Sequence, residues 1–261
     1  EFRRVLFRST LHAGRGALEQ SLRLFGRKRL DQGLGQHVPL GENAGQETAL
    51  HDECRSDLLP DHGCGGVRNP HIKQHAQELL QAGYAVLVTD SFGPRGAENC
   101  AARIISGSAG VADAYAALAF LAAQPFVDKA RIYQVGYSWG AIVSTFLASP
   151  QSAAVVGSPL RFAATVANYS NCSYQDKYQL VLRDSDRPLL MLMGEQDQEL
   201  PAATCFPLLA DMKAQGSPVE WFVFPGATHS WDKPSQPDRG YRYNERVTAE
   251  ATAKMLDFLA R

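Results

Sequence analysis

Short apolar runs alternate with longer amphipathic stretches along the chain from about residue 62 onward. Five runs are rich in aliphatic, β-branched and aromatic residues, and several are apolar throughout; they lie at 85–89, 130–135, 162–167, 188–193 and 219–224. A continuous apolar run is typical of a strand in a parallel sheet that is covered on both faces.

Helical patterns accompany these runs. Five stretches have the length and spacing of helices, at 71–81, 108–124, 141–148, 201–215 and 244–259. Each is long enough to cross the sheet and return the chain to its next strand. A strand–helix order repeated five times predicts an α/β fold with a doubly wound, mainly parallel sheet. We assign residues 61–261 to this single domain.

The first 60 residues differ from the rest. They contain no Ile, Tyr, Trp or Met, and Val only at positions 5 and 38, so strand-forming residues are scarce. The best periodic piece, 17–25, predicts at most one short helix. Residues 3–9, RRVLFRS, also read like the translation of a sequencing-adapter end. We therefore treat 1–60 as an irregular segment, with the hypothesis that it is artefactual and that the N-terminal strands of the sheet are missing or non-native.

Charge and hydropathy exclude several classes of function. Twenty-six basic and 27 acidic side chains give a formal net charge of −1, which supplies no overall field for nucleic acid or an anionic membrane. No apolar stretch approaches the roughly 18 residues of a membrane span. We expect a soluble protein without a nucleic-acid or membrane partner, and we favour a cytoplasmic location over a periplasmic or secreted one. The sequence leaves the oligomeric state open.

The five cysteines are scattered, and none forms a C-x-x-C pair. Cys172 and Cys205 each follow a predicted strand, so their loops either share a disulfide or carry free thiols. A zinc site needs three or four ligands at recognisable spacing, which neither Cys64 nor the pair His71 and His75 provides. We expect no metal, and we interpret the two histidines as part of an exposed helix face.

The sharpest chemical signal is the pentapeptide G-x-S-x-G at 136–140, which lies between a predicted strand and a predicted helix. Small residues two positions either side leave room for a sharp turn, and the helix N-terminus favours developing negative charge. This position predicts Ser138 as a nucleophile, with a helix N-cap as the alternative. Trp139 N–H is then a natural oxyanion donor.

A serine nucleophile needs a base and a carboxylate that orients the base. Asp197 and His229 each follow a predicted strand, at the edge where open parallel sheets build their sites. Glu195, two residues before Asp197, is a rival for the acid. The order Ser, Asp, His along the chain is that of α/β-hydrolases.

With these motifs the chain resembles the dienelactone hydrolase family of α/β-hydrolases, from about residue 62 to the C-terminus. The resemblance is carried by the elbow together with HGCGG at 62–66, DSFGPRG at 90–96, GEQD at 194–197 and GATH at 226–229. It implies an α/β-hydrolase fold, a triad of Ser138, Asp197 and His229, and an oxyanion hole formed by the main-chain N–H groups of Trp139 and Cys64.

The chain departs from the family pattern in two places. Founding members carry cysteine at the elbow, where this chain has serine. The HGCGG turn should also follow a buried strand, yet Pro60 and two aspartates precede it, and proline and aspartate suit a central strand badly.

Loop residues at the same edge of the sheet are candidates for substrate binding. Arg95 follows the run at 85–89 and either clamps a substrate carboxylate or makes a structural bond to Asp90 or to loop carbonyls. Tyr241 and Tyr243 either contribute to the pocket or lie in an exposed loop.

Taken together, these features predict a serine hydrolase that cleaves a small-molecule carboxylic ester or lactone through an acyl-enzyme, without metal or cofactor. Two alternatives remain open. One is a peptidase or acyltransferase of the same fold, and the other is a non-catalytic α/β-hydrolase-like binding module.

Overall fold

A twisted β-sheet forms the centre of the molecule in the computed structural model, which describes residues 22–25, 57–61, 63–100, 107–174, 178–234 and 240–261. The strands of this sheet are β1 (Leu22–Phe25), β2 (Asp57–Asp61), β3 (Ala85–Thr89), β4 (Ile132–Tyr137), β5 (Thr165–Asn168), β8 (Leu189–Gly194) and β9 (Val219–Phe224). Two further strands, β6 (Ser173–Tyr174) and β7 (Tyr178–Gln179), form a small separate hairpin.

Helices connect the strands and cover the sheet. They are α1 (Pro70–Gln81), α2 (Gly107–Ala122), α3 (Trp139–Leu147), α4 (Pro150–Val156), α5 (Phe206–Ala214) and α6 (Glu245–Ala260). Among these described helices, none is long and apolar enough to cross a membrane.

The strand order in the described sheet is β1-β3-β2-β4-β5-β8-β9, and every neighbouring pair is parallel except β1 with β3. β3 lies on one side of β2 and β4 lies on the other, so the strand order reverses there. Open parallel sheets bind ligands at such a switch point, beyond the carboxyl ends of the strands. The prediction of a doubly wound, mainly parallel sheet is confirmed.

Both faces of the sheet are covered, which explains the uninterrupted apolar runs. In β8, Leu190 and Leu192 belong to the core beneath α1 and α6. The alternating residues Leu189, Met191 and Met193 belong to the core beneath α3 and α5 on the opposite face. All five side chains are fully buried, as expected for a strand that has no solvated face.

The strand before the HGCGG turn is present despite its unpromising sequence. β2 lies in the middle of the sheet, and its ladder to β4 runs through all five residues from Asp57 to Asp61. On the β3 side the register pairs only Asp57, Leu58 and Asp61. The interruption therefore falls at 59–60, because a proline cannot donate to a ladder.

Residues 22–25 form an edge strand, where the pattern predicted a helix across 17–25; residues 17–21 lie outside the described part. The sequence Leu-Arg-Leu-Phe begins with an alternation of apolar and polar residues, which suits a short strand paired to β3 in antiparallel register. The remaining positions before residue 57 also lie outside the described part, so the irregular character of the segment 1–60 stays a prediction.

The exposed helix face predicted for His71 and His75 is wrong. Both residues lie on α1 and are buried. His75 Nε2 lies 2.7 Å from Asp232 Oδ2, and this hydrogen bond offsets the cost of burying the imidazole.

Candidate active site

The turn between β4 and α3 holds Ser138 in a strained backbone conformation. Its φ is 52° and its ψ is −110°, a combination that a non-glycine residue adopts only when the surroundings impose it. Ser138 N–H donates to Asn168 O at 3.0 Å, which fixes the turn to β5. A Cβ at Gly136 would lie 2.1 Å from Gly140 O, so the elbow needs glycine at that position.

Three predicted side chains meet at this edge of the sheet. Ser138 Oγ lies 2.8 Å from His229 Nε2, and His229 Nδ1 lies 2.8 Å from Asp197 Oδ2. The His229 and Asp197 side chains are 4% and 1% exposed. Two main-chain N–H groups, at Glu199 and Leu200, donate to the other oxygen of Asp197 at 2.9 and 2.8 Å and hold the carboxylate in place.

Glu195, the rival acid, points elsewhere. Its Oε2 accepts a hydrogen bond from Gly226 N–H at 2.9 Å in an exposed position. Of the two carboxylates in the GEQD loop, the structure therefore brings Asp197 to the imidazole, while Glu195 joins the acid loop to the histidine loop.

The HGCGG turn packs directly against the elbow. A Cβ at Gly63 would lie 3.5 Å from the Ser138 Cβ and 3.2 Å from Tyr137 O. Within the described part of the chain, Cys64 N–H has no hydrogen-bond acceptor, although Cys64 O accepts from Cys100 N–H at 3.0 Å. An amide beside the Ser138 side chain, without an acceptor among the described residues, has the position expected of an oxyanion donor. Trp139 begins α3 on the other side of Ser138.

Two disulfides tie the loops at this edge. Cys172 pairs with Cys205, so the structure has the first of the two alternatives for these residues. Cys64 pairs with Cys100 and thereby fastens the turn next to Ser138 to the loop that follows β3. Nothing in the spacing of these two cysteines, 36 positions apart, indicates the second bond.

Arg95 makes an internal ion pair. Its guanidinium donates from both Nη atoms to the two carboxylate oxygens of Asp113, at 2.7 and 2.8 Å, and also to Ser91 O at 2.7 Å. Hydrogen bonding to Asp113 raises the pKa of Arg95 further above its ordinary value, against the effect of burial. The structural-bond alternative is present, to the loop carbonyl of Ser91 and to Asp113 rather than Asp90, and binding of substrate by Arg95 stays a prediction.

A buried polar network lies behind the imidazole. The Tyr169 ring stands edge-on to His229 at a centroid distance of 5.1 Å, and Tyr169 O–H donates to Asp232 Oδ2 at 3.1 Å. The same oxygen of Asp232 bonds to His75 Nε2, and His75 Nδ1 lies 3.0 Å from Glu78 Oε2. The network thus connects α1 with the loop that carries His229.

Hydrogen bonds between His75 and its two carboxylate partners determine the protonation states in this network. Burial alone would lower the pKa of His75, but the hydrogen bonds to Asp232 and Glu78 raise it from 6.5 to about 9. Burial works to raise the pKa of Asp232, and the bond to His75 outweighs it, so the pKa lies below its usual value. Burial, followed by the charge of Asp232, raises the pKa of Tyr169 well above 10.0. At neutral pH the core therefore holds a His75 cation between carboxylates.

Glu199 and Tyr241 lie beside His229, and both are more exposed than its buried imidazole. Glu199 Oε2 lies 3.5 Å from His229 Nε2, and Tyr241 O–H donates to the same carboxylate oxygen. The Tyr241 ring lies 5.3 Å from the His229 ring, and its place in a pocket stays a prediction. Tyr243 is exposed, as the loop alternative has it. Sequence reasoning did not single out Glu199, and the available signal was its position two residues beyond Asp197.

No metal centre accompanies these side chains in the part of the chain that the structure describes. There, no group of three or more His, Cys, Asp or Glu residues could hold a metal ion. The arrangement that is present can transfer a proton from a hydroxyl to an imidazole beside main-chain N–H groups, which is the chemistry of nucleophilic attack on a carbonyl.

Solved structures share this fold. A candidate dienelactone hydrolase from Klebsiella pneumoniae subsp. pneumoniae superposes with a TM-score of 0.65 at 19% identity, covering 80% of this chain and 88% of that one. Thermogutta terrifontis esterase 2, phosphoramylated by tabun, superposes with a TM-score of 0.60 at 15% identity, covering 92% and 93%. These likenesses show that the sheet and helices form an α/β-hydrolase fold.

Sequence comparison identifies the family. A protein of Methylorubrum extorquens, named as a candidate carboxymethylenebutenolidase, is 25% identical over 177 residues, which are 64% of this chain. The match spans 60% of the length of that relative. The sequence model of the dienelactone hydrolase family matches residues 62–261, which include every side chain of the site just described, and the chain therefore belongs to the dienelactone hydrolase family of hydrolases.

Proposed function

We propose that this hydrolase cleaves a carboxylic ester or a lactone through a covalent acyl-serine intermediate. The observation that carries the proposal is the continuous hydrogen-bonded chain from Ser138 Oγ through His229 to Asp197, with 2.8 Å at each step. A hydroxyl held in this way can pass its proton to an imidazole while it attacks a carbonyl carbon.

In the first half-reaction, Ser138 Oγ bonds to the carbonyl carbon and its proton moves to His229 Nε2. Asp197 accepts from Nδ1–H, so it keeps the imidazole in the tautomer whose Nε2 is the acceptor, and it stabilises the imidazolium that forms. When the tetrahedral intermediate collapses, the alcohol oxygen leaves and takes the proton from Nε2. In the second half-reaction water attacks the acyl-enzyme, gives a proton to Nε2, and releases the acid as Ser138 recovers its proton.

The negative oxygen of the tetrahedral intermediate is held, in this proposal, by the main-chain N–H groups of Trp139 and Cys64. Support comes from the close packing of Gly63 against the Ser138 Cβ, and from the Cys64 amide that lacks an acceptor within the described part of the chain. Loss of one such donor typically raises the barrier by about 2.7–4 kcal/mol. The disulfide from Cys64 to Cys100 holds the turn that presents this donor.

Ser138→Ala tests the proposal, with Ser144→Ala as a matched control. Ser144 lies on the same helix, and its buried Oγ donates to Gly140 O at 3.2 Å. We expect Ser138→Ala to abolish hydrolysis of p-nitrophenyl butyrate, the initial burst of p-nitrophenol, and covalent labelling by a fluorophosphonate probe, whereas Ser144→Ala retains all three. Labelling of Ser138→Ala to the wild-type extent would overturn the assignment of the nucleophile, and a wild-type protein without turnover or burst would overturn ester hydrolysis.

A further inference from the structure

A carboxylate stands directly beside the proposed nucleophile and base. Glu199 Oε2 is 3.5 Å from His229 Nε2, the nitrogen that bonds to Ser138 Oγ. The His229 side chain is only 4% exposed, while the Glu199 side chain is 46% exposed. Glu199 therefore joins the solvent-exposed surface to the imidazole that bonds to Ser138.

The position of this carboxylate is fixed from two directions. At its main chain, Glu199 N–H donates to Asp197 Oδ1 at 2.9 Å, so the residue is tied to the acid of the triad. At its side chain, Tyr241 O–H donates to Oε2, and the Tyr241 ring in turn contacts the His229 ring. A carboxylate restrained at both ends exerts its field at one place rather than averaging it over many rotamers.

Within the part of the chain that the structure describes, Glu199 forms no ion pair with a lysine or an arginine. In the described ranges, no lysine or arginine lies within 4.0 Å of its oxygens. Arg95, the cation expected at this edge of the sheet, has its own charge compensated by the bidentate pair with Asp113. Glu199 is therefore a negative charge beside the imidazole that has no basic partner within 4.0 Å among the described residues.

Building on the proposed ester hydrolysis, we infer that Glu199 selects substrates by charge: the site prefers neutral esters, and above all esters that carry a cation near the scissile carbonyl, over esters that carry a free carboxylate there. With the partial screening of a protein surface, a substrate charge about 6 Å from Glu199 changes kcat/KM roughly tenfold, upward for a cation and downward for an anion. Glu199 acts on the charge of the substrate and takes no part in bond formation or proton transfer, so the proposed chemical steps do not change.

Three p-nitrophenyl esters with the same three-methylene spacer separate the charge effect from size. Their acyl groups are 4-(trimethylammonio)butanoyl, the neutral isostere 5,5-dimethylhexanoyl, and glutaryl with its free carboxylate. In wild-type protein at low ionic strength we expect kcat/KM for the cationic ester to exceed that for the anionic ester by about 100-fold, with the neutral ester between them. This ratio should shrink in 0.5 M NaCl, because salt screens partly exposed charges.

Glu199→Gln removes the charge and keeps the shape, and Glu195→Gln is its matched control. Both residues lie on the same loop, but Glu195 bonds to Gly226 N–H and not to the imidazole. We expect Glu199→Gln to reduce the cation-to-anion ratio to about threefold or less, and Glu195→Gln to leave it near the wild-type value. Because the ratio compares substrates within one variant, a change in turnover common to all three esters cancels.

The outcomes separate this inference from the proposed function. Turnover of the neutral ester with equal kcat/KM for the two charged esters, or a ratio that Glu199→Gln does not change, overturns the role of Glu199 and leaves ester hydrolysis standing. Equal loss of the ratio in Glu195→Gln overturns it too, because the effect would then belong to net charge alone. Absence of turnover for all three esters overturns the proposed function itself.

Discussion

The buried pair of His75 and Asp232 predicts how stability depends on alkaline pH. His75 lies on α1 and is packed between Asp232 and Glu78, and its pKa is about 9 in the folded protein. In the unfolded chain the imidazole has its ordinary pKa of 6.5. Folding therefore binds a proton more tightly at this residue, and removal of that proton at high pH must weaken the fold.

The size of the effect follows from the difference between the two pKa values. Each unit corresponds to about 1.4 kcal/mol, so the shift from 6.5 to about 9 contributes about 3 kcal/mol to the free energy of unfolding. Because the pKa is raised in the folded state, the contribution is fully present below pH 6.5 and is lost as the pH rises through 9. For Asp232 the dependence on pH is opposite, because its pKa is lowered in the folded state. Its contribution to the free energy of unfolding is lost as the pH falls through that lowered pKa.

Urea unfolding of wild-type protein at pH 6, 7, 8, 9 and 10 measures the loss, with the double variant His75→Gln/Asp232→Asn as the reference. The double variant keeps a hydrogen bond between two neutral side chains, so it removes the titration while leaving little uncompensated charge in the core. We expect the wild-type free energy of unfolding to fall by about 3 kcal/mol more than that of the double variant between pH 6 and pH 10. Lysines and tyrosines outside the network are common to both proteins and cancel in the difference. Tyr137 and Tyr169 have pKa values raised well above 10.0, with burial as the largest cause, so they stay protonated over most of this range.

Parallel pH profiles for the two proteins would refute the reasoning, because they would mean that the proton on His75 is not bound more tightly in the folded state. The single variant His75→Gln gives a second measurement. It leaves the Asp232 carboxylate buried without a cation, and such a change typically costs about 3–5 kcal/mol at neutral pH. A single variant as stable as wild type at pH 6 would contradict the ion pair itself.

Three further predictions concern the site and its scaffold. Asp197→Asn should lower kcat for p-nitrophenyl butyrate by about 10³–10⁴-fold through loss of the correct histidine tautomer, while Glu195→Gln should change it less than threefold. Gly136→Ala should abolish soluble folded protein, because the new Cβ would lie 2.1 Å from the Gly140 carbonyl oxygen. Gly157 has φ at +69° and open space around it, so Gly157→Ala should lower the free energy of unfolding, measured by thermal unfolding, by only about 1 kcal/mol. Cys172→Ser should lower the free energy of urea unfolding by about 3–4 kcal/mol, because it opens a disulfide that closes a loop of 33 positions; an unchanged midpoint would show that the bond does not contribute.

The five apolar runs could be predicted as strands because the information is local. A strand buried on both faces needs apolar residues at every position, and this composition is visible without knowledge of its neighbours. β3 and β9 coincide with the predicted runs at 85–89 and 219–224, and the other three strands are displaced by one to three residues. The seven-residue helix α4 was not predicted, since it is too short for a periodic pattern to be distinguished from a loop.

Features that depend on distant partners could not be read in this way. β2 survives Pro60 because β4 supplies an unbroken ladder on its other side. The histidine face of α1 is buried because Asp232 lies against it, 157 positions further along the chain. Neither partner leaves a trace in the local pattern. The residues before the HGCGG turn were therefore judged unsuited to a central strand, and the two histidines of α1 were interpreted as an exposed face.

The same distinction separates the triad from the residues that set its surroundings. Ser138, Asp197 and His229 each follow a strand end, and parallel strands bring their ends to one edge, so a local prediction sufficed to place them together. The partners of the charged loop residues around them could not be placed in this way. Arg95 pairs with Asp113, 18 positions away on α2, and Glu199 lies 3.5 Å from His229 Nε2 without a basic partner among the described residues. The meeting of Ser138, Asp197 and His229 therefore follows from strand order, whereas the pairing of Arg95 and the position of Glu199 depend on contacts that no local pattern contains.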